Sequence, residues 1–127
     1  MTVDRIILVY DADSGVAALL LDVCKKLFGR EDCALCALTY SPVGKRRAWS
    51  ACAKGLGVAV EELHRDRLPA DWGIARGELP CILGRAGEAR PFRLLGRAEL
   101  EACHGRVDEL ERRLRARLDT PAQAARP

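Results

Sequence analysis

The chain has 127 residues, 49% of them hydrophobic and 31% charged, with 21 basic against 18 acidic residues. Those proportions suit one globular domain with a single core rather than a disordered chain. No apolar run nears the roughly 18 residues that span a bilayer, and Met1 to Asp4 lack the basic and apolar regions of a secretory signal. The expectation is therefore a cytoplasmic protein without a membrane partner. Acidic residues interleave with the basic ones, so the net charge of +3 marks no nucleic-acid stripe.

Arg5 to Tyr10 is a continuous apolar, β-branched run, the pattern of a strand buried on both faces. Asp11 to Gly15 break it, and Asp13 or Ser14 can accept from the free amides of a following helix. Val16, Leu20, Val23, Cys24 and Leu27 share one face of that helix, which Gly29 ends. Cys33 to Tyr40 reads as a second buried strand, and Ser41-Pro42 as the cap and first residue of a second helix. That helix presents Ala48, Trp49, Cys52, Ala53 and Leu56 to the core and ends at Gly55 and Gly57. Val58 to Asp66 suits a strand or a helical turn; an extended segment ending near His64 is the reading preferred. Leu68 to Gly77 is a loop with a helical turn around Ala70 to Gly73.

Leu79 to Leu83 begins a third core strand, Arg85 to Glu88 turns, and Pro91 to Leu95 returns antiparallel. A closing helix begins at Arg97 to Cys103, is interrupted at Gly105, and continues from Val107 to Leu118. There Asp108 with Arg112, Glu109 with Arg113 and Glu111 with Arg115 are acid-before-base pairs four apart. The order β-α-β-α, an irregular segment, then β-β-α predicts an α/β fold with a central mixed sheet flanked by helices. Residues 1–119 form the expected domain and 120–127 a disordered tail.

This order resembles the thioredoxin fold. Trp72-Gly73-Ile74 followed by Leu79-Pro80 resembles the thioredoxin segment that delivers its cis-proline, Gly84 to Glu88 the hairpin turn after it, and Leu95-Gly96 the approach to the last helix. Within that superfamily, Tyr10-Asp11-Ala12-Asp13-Ser14-Gly15-Val16-Ala17 is similar to the opening of DCC-type thiol-disulfide oxidoreductases, Tyr-Asp-Gly-Asp-Cys-x-x-Cys. Ser14 stands at the first cysteine of that pattern and Ala17 at the second. The resemblance thus implies a thioredoxin-like plan whose standard redox pair is gone. The Cys33 to Tyr40 and Leu63 to Asp66 blocks also resemble a group of small bacterial proteins, a likeness that brings no activity with it.

In an open α/β sheet, ligands collect where parallel strands end and helices begin. Asp11, Asp13, Ser14, Gly15, Tyr40, His64, Pro80 and Cys81 are the candidate ligand-binding residues on that ground. Free amides at a helix start can hold an anion, and a proline fixed in the cis form would expose a backbone edge to a peptide or thiol. Capping alone also accounts for Asp13 and Ser14, and core packing for Cys81. Cys33 and Cys36 form the one C-x-x-C spacing and are the candidate catalytic pair of a thiol-disulfide oxidoreductase. Within a strand, however, alternation would turn the two to opposite faces. Zinc normally wants two close ligand pairs, and only Cys33-x-x-Cys36 supplies one, so no metal and no cofactor is expected. His64-Arg65-Asp66 could orient an acid-base histidine, yet no nucleophile elbow accompanies it. Val43-Gly44-Lys45-Arg46 lacks the first glycine and the hydroxyl of a phosphate loop. The expected function is binding of a peptide, protein or small thiol or anionic ligand at the Ser14/Pro80 face. Oxidoreductase chemistry at Cys33 and Cys36 is the alternative, and a cysteine-based metal or redox sensor the third.

Overall fold

The computed structural model describes residues 3–11, 34–41 and 44–118. The expected helix after Asp13, the residues Asp13, Ser14, Gly15 and Cys33, and the tail from Thr120 lie outside the described residues. A four-stranded mixed sheet organises the rest, and the chain is α/β in class.

Strand β1, Arg5–Tyr10, lies inside the sheet, and every residue from Ile6 to Tyr10 is buried. Such a strand must be apolar on both faces, which is why its sequence shows no alternation. Its parallel neighbour is Ala59–His64, here β4, paired in register from Arg5 with Ala59 to Tyr10 with His64. The preferred extended reading of that segment thus holds. On the other side runs β5, Cys81–Arg85, antiparallel to β1, and beyond it β6, Phe92–Leu95, antiparallel to β5. The sheet order is β4-β1-β5-β6.

The segment read as the second strand is instead helix α1, Ala34–Thr39. Its run Ala-Leu-Cys-Ala-Leu-Thr contains two alanines and two leucines, the strongest helix formers, and one β-branched residue at the end. Leu35, Leu38 and Thr39 are buried, a spacing of three and four that marks a helical face. A short apolar run does not by itself separate strand from buried helix.

The second helix also begins later than Ser41-Pro42. Tyr40–Ser41 (β2) and Gly44–Lys45 (β3) pair as a two-residue antiparallel ribbon, and α2 spans Arg47–Gly55. Arg46 precedes it in extended conformation, and its guanidinium donates to the Gly105 carbonyl at 2.8 Å. Trp49 and Cys52 are buried as expected, whereas Ala48 is exposed.

The closing elements follow the expected break. Helix α3, Arg97–Glu101, is separated from α4, Val107–Leu118, by a turn in which His104 and Gly105 take positive φ angles of 51° and 73°. Glu99 accepts from the Gly96 amide at 2.9 Å and so satisfies one of the open donors at the start of α3. Arg117 of α4 donates to that same Glu99 at 2.5 Å and to the Leu94 carbonyl at 2.7 Å, tying α4 to α3 and β6. Two of the three expected pairs along α4 form, Glu109 with Arg113 and Glu111 with Arg115, each at 2.8 Å. The third is replaced. Asp108, in the first turn, pairs with Arg106 at 2.8 Å, and Arg112 pairs with Glu109. A residue at a helix start can reach back to the turn before it as readily as forward.

Side chains sort the core into two layers. Ile6, Leu8 and Tyr10 point with Ile82 toward Leu35, Leu38, Trp49, Cys52, Leu100, Leu110 and Leu114, so all four described helices lie against one face. Ile7, Val9, Cys81 and Leu83 form the other layer with Leu79, against which Leu63, Leu68, Trp72 and Ile74 pack. Irregular chain, with short helical turns at Arg65–Arg67, Ala70–Trp72 and Arg76–Glu78, therefore covers that second face. Burying a leucine or isoleucine is worth about 1.5–3 kcal/mol, so the central strand anchors both layers.

Candidate functional site

β1 and β4 run parallel and stop at the same level, so Tyr10-Asp11 and His64-Arg65 arrive together at one end of the sheet. β5 runs the other way and starts there. Val9 is the partner of Cys81, which places Pro80 beside the end of β1. The Leu79-Pro80 peptide bond is cis.

The two faces of this sheet end differ. On the helix side the rings of Tyr10 and His64 stack with centroids 5.4 Å apart and planes inclined at 27°. Tyr10 is 1% exposed, and its hydroxyl lies 2.9 Å from the Thr39 hydroxyl at the end of α1. Thr39 gives its one proton to the Leu35 carbonyl at 3.0 Å. The Tyr10 hydroxyl must then donate to Thr39. A buried hydroxyl without a partner would cost about 1–3 kcal/mol, and this relay removes that cost for both residues.

Past the last strand pair, Arg65 meets Asp11 at 3.2 Å, both side chains roughly a quarter exposed. Their attraction is intermediate between a solvated pair and a buried one. Asp66, next in the chain, is 4.0 Å from Arg67. Asp11, His64 and Pro80 of the expected set are thus brought together. Tyr40 begins the β2–β3 ribbon one residue beyond Thr39, and the Arg46 amide donates to the Thr39 carbonyl at 2.8 Å, holding the ribbon to the end of α1.

Cys81 stands at the same level but is 0% exposed, within the apolar layer of Ile7, Val9, Leu79 and Leu83. Burial pushes its thiol up to about 12, with the nearby Glu78 charge adding to the shift. Cys52, on the buried face of α2, is pushed by burial to about 11, and burial raises Cys103 as well. Thiols held in this way are poor nucleophiles near neutral pH. Of the candidate redox pair, Cys36 lies within α1 rather than at the head of a strand, and that removes the alternation argument against the pair. Among the described residues, no three His, Cys, Asp or Glu side chains gather as metal ligands.

Three residues of this site escaped the candidate set. Tyr10 reads as the end of the apolar strand and the head of the Tyr-Asp-Ala-Asp-Ser motif, Thr39 as part of a strand, and Arg65 as the middle of His64-Arg65-Asp66. The signal for Tyr10 is positional, a hydroxyl-bearing ring closing a run that is otherwise aliphatic. Thr39 emerges only from the packing of α1 against β1, and Arg65 from pairing β1 with β4.

Comparison with protein-family models, with curated proteins and with solved structures finds no match to the chain. What stands is an α/β chain with a four-stranded mixed sheet and a polar cluster where its two parallel strands end. No helix among the described residues is long and apolar enough to cross a membrane.

Proposed function

We propose that the chain is a thioredoxin-like protein without the standard C-x-x-C, binding a peptide, thiol or small anionic ligand at the Ser14/Pro80 face. One observation carries the reading: Tyr10, Asp11, His64 and Pro80 converge where β1 and β4 end and β5 begins. That is where an open α/β sheet offers a crevice to a ligand. The strand order β4-β1-β5-β6, parallel in its first pair and antiparallel in the others, supports the thioredoxin-like plan. The raised thiols of Cys52, Cys81 and Cys103 leave none of these three poised as a thiolate, so a redox role would fall to Cys33 and Cys36.

Reduced glutathione carries a thiol, a peptide backbone and carboxylates in one molecule and serves as the probe. Calorimetric titration should show binding to the unaltered protein and to Cys33→Ser, and loss of binding in Ser14→Trp. Thiol trapping with intact-mass readout across glutathione redox buffers should show no reversible two-electron step. A step mapping to Cys33 and Cys36 would replace this reading with the oxidoreductase one.

A further inference from the structure

We propose that residues 68–78 form a cover that lifts as a unit from the second face of the sheet while the four described helices stay packed on the first. The inference goes beyond the ligand site and stands without it. The two faces are closed in different ways. Each helix sends fully buried side chains into the core, among them Leu38, Trp49, Leu100 and Leu114. None of residues 68–78 is fully buried, and Leu68, Trp72 and Ile74 only half enter the layer of Ile7, Val9, Cys81 and Leu83. Backbone hydrogen bonding draws the same line. The amides of Leu68, Trp72, Gly73 and Glu78 donate to the carbonyls of Arg65, Pro69, Ala70 and Ala75, each closing a local turn. Among the described residues, no backbone group of the cover pairs with a strand, so lifting it breaks no ladder. Segments with few buried apolar contacts and only local backbone bonds lie at the low-stability end of a fold.

The β5–β6 hairpin holds the cover down through three arginines. The Arg85 guanidinium lies 5.8 Å from the centre of the Trp72 ring. Arg90 donates to the Asp71 carbonyl at 2.5 Å, and Arg93 pairs with Glu78 at 3.3 Å. Arg90, Asp71 and Arg93 are exposed, and contacts in such settings are individually weak. They latch the cover rather than anchor it. Beneath it lies an apolar surface of Ile7, Val9 and Leu83, to which Cys81 also belongs. Cys52 and Cys103 belong to the core on the helix side. The three thiols therefore report separately on the two faces.

The test is alkylation of the full chain by iodoacetamide in urea below the concentration of global unfolding. Peptide mass spectrometry gives the rate at each cysteine, divided by its rate in the fully unfolded chain. Cys81 should react about tenfold or more faster than Cys52 and Cys103, because lifting the cover uncovers it alone. Arg90→Ala should raise the Cys81 rate about threefold, through loss of one exposed hydrogen bond, and leave the other two rates unchanged. One shared rate for the three thiols of the unaltered protein overturns the proposal, since Cys81 is then reached only when the whole domain unfolds. That comparison needs no variant. If Arg90→Ala raises all three rates together, Arg90 supports the whole fold and its role as a latch is overturned.

Discussion

Tyr10 and His64 are register partners on adjacent parallel strands, and their rings stack with centroids 5.4 Å apart. Parallel pairing puts partner side chains on one face of the sheet, so the stack follows directly from the register. It joins a buried phenol, held by Thr39, to a histidine that reaches solvent. Tyr10→Phe separates the two roles of the phenol. The stack persists, the hydrogen bond to Thr39 is lost, and unfolding free energy in urea should fall by about 1 kcal/mol. Tyr10→Ala should cost considerably more, about 3–5 kcal/mol, because a large buried ring is removed.

The buried thiols give a pH signature. Cys81 is lifted by burial from 9.0 to about 12, so the unfolded chain releases this proton before the folded one does. The folded state then binds more protons across that interval, and stability must fall as pH rises. Its contribution is complete below 9.0 and declines as pH climbs toward about 12. Alkaline melts of the unaltered protein should steepen over this range, and Cys81→Ala should flatten the slope. Near neutral pH, iodoacetamide should leave Cys52, Cys81 and Cys103 unmodified until denaturant is added.

At the acid end the sign reverses. Hydrogen bonds from Arg112 and then Arg113 pull Glu109 down from 4.5 to about 2. The unfolded carboxylate takes up its proton first, so the contribution is present above 4.5 and is lost as pH falls toward about 2. Glu109→Gln should reduce the loss of stability between those limits. Added salt should shrink the difference between the two proteins, since the cluster lies at the surface.

Gly84 in β5 marks a close approach. A Cβ built there would stand 3.0 Å from Leu94 Cγ and 3.2 Å from Phe92 Cζ, across the β5–β6 pair. Gly84→Ala should lower stability by about 1–3 kcal/mol, the range of overpacked cores. Gly87→Ala offers the contrast. No atom lies within 4 Å of a Cβ there, and its cost comes from a φ of 57° alone.

Sequence and structure agree best where a pattern is long or punctuated. The unbroken, β-branched Ile6 to Tyr10 run is the doubly buried strand that its pattern suggests, and Gly105 with its positive φ divides the closing helices where expected. The β5–β6 hairpin was legible from two apolar runs flanking Ala86-Gly87. Agreement fails at Ala34–Thr39, where six residues satisfy strand and helix patterns alike and tertiary burial of Leu35 and Leu38 decides. As a helix this segment takes no place in the four-stranded sheet, and the parallel neighbour of β1 is Ala59–His64. Residue type points to His64 and Pro80; Tyr10 and Arg65 need the β1–β4 register, and Thr39 the helical turn that faces Tyr10.

The most direct measurement is the map of backbone amide shifts on adding reduced glutathione to the isotope-labelled chain. The account predicts saturable shifts concentrated at Asp11, Thr39, His64, Arg65, Leu79 and Cys81, the residues that meet where β1 and β4 end. Shifts that spare those positions and gather around Cys36 instead would contradict it.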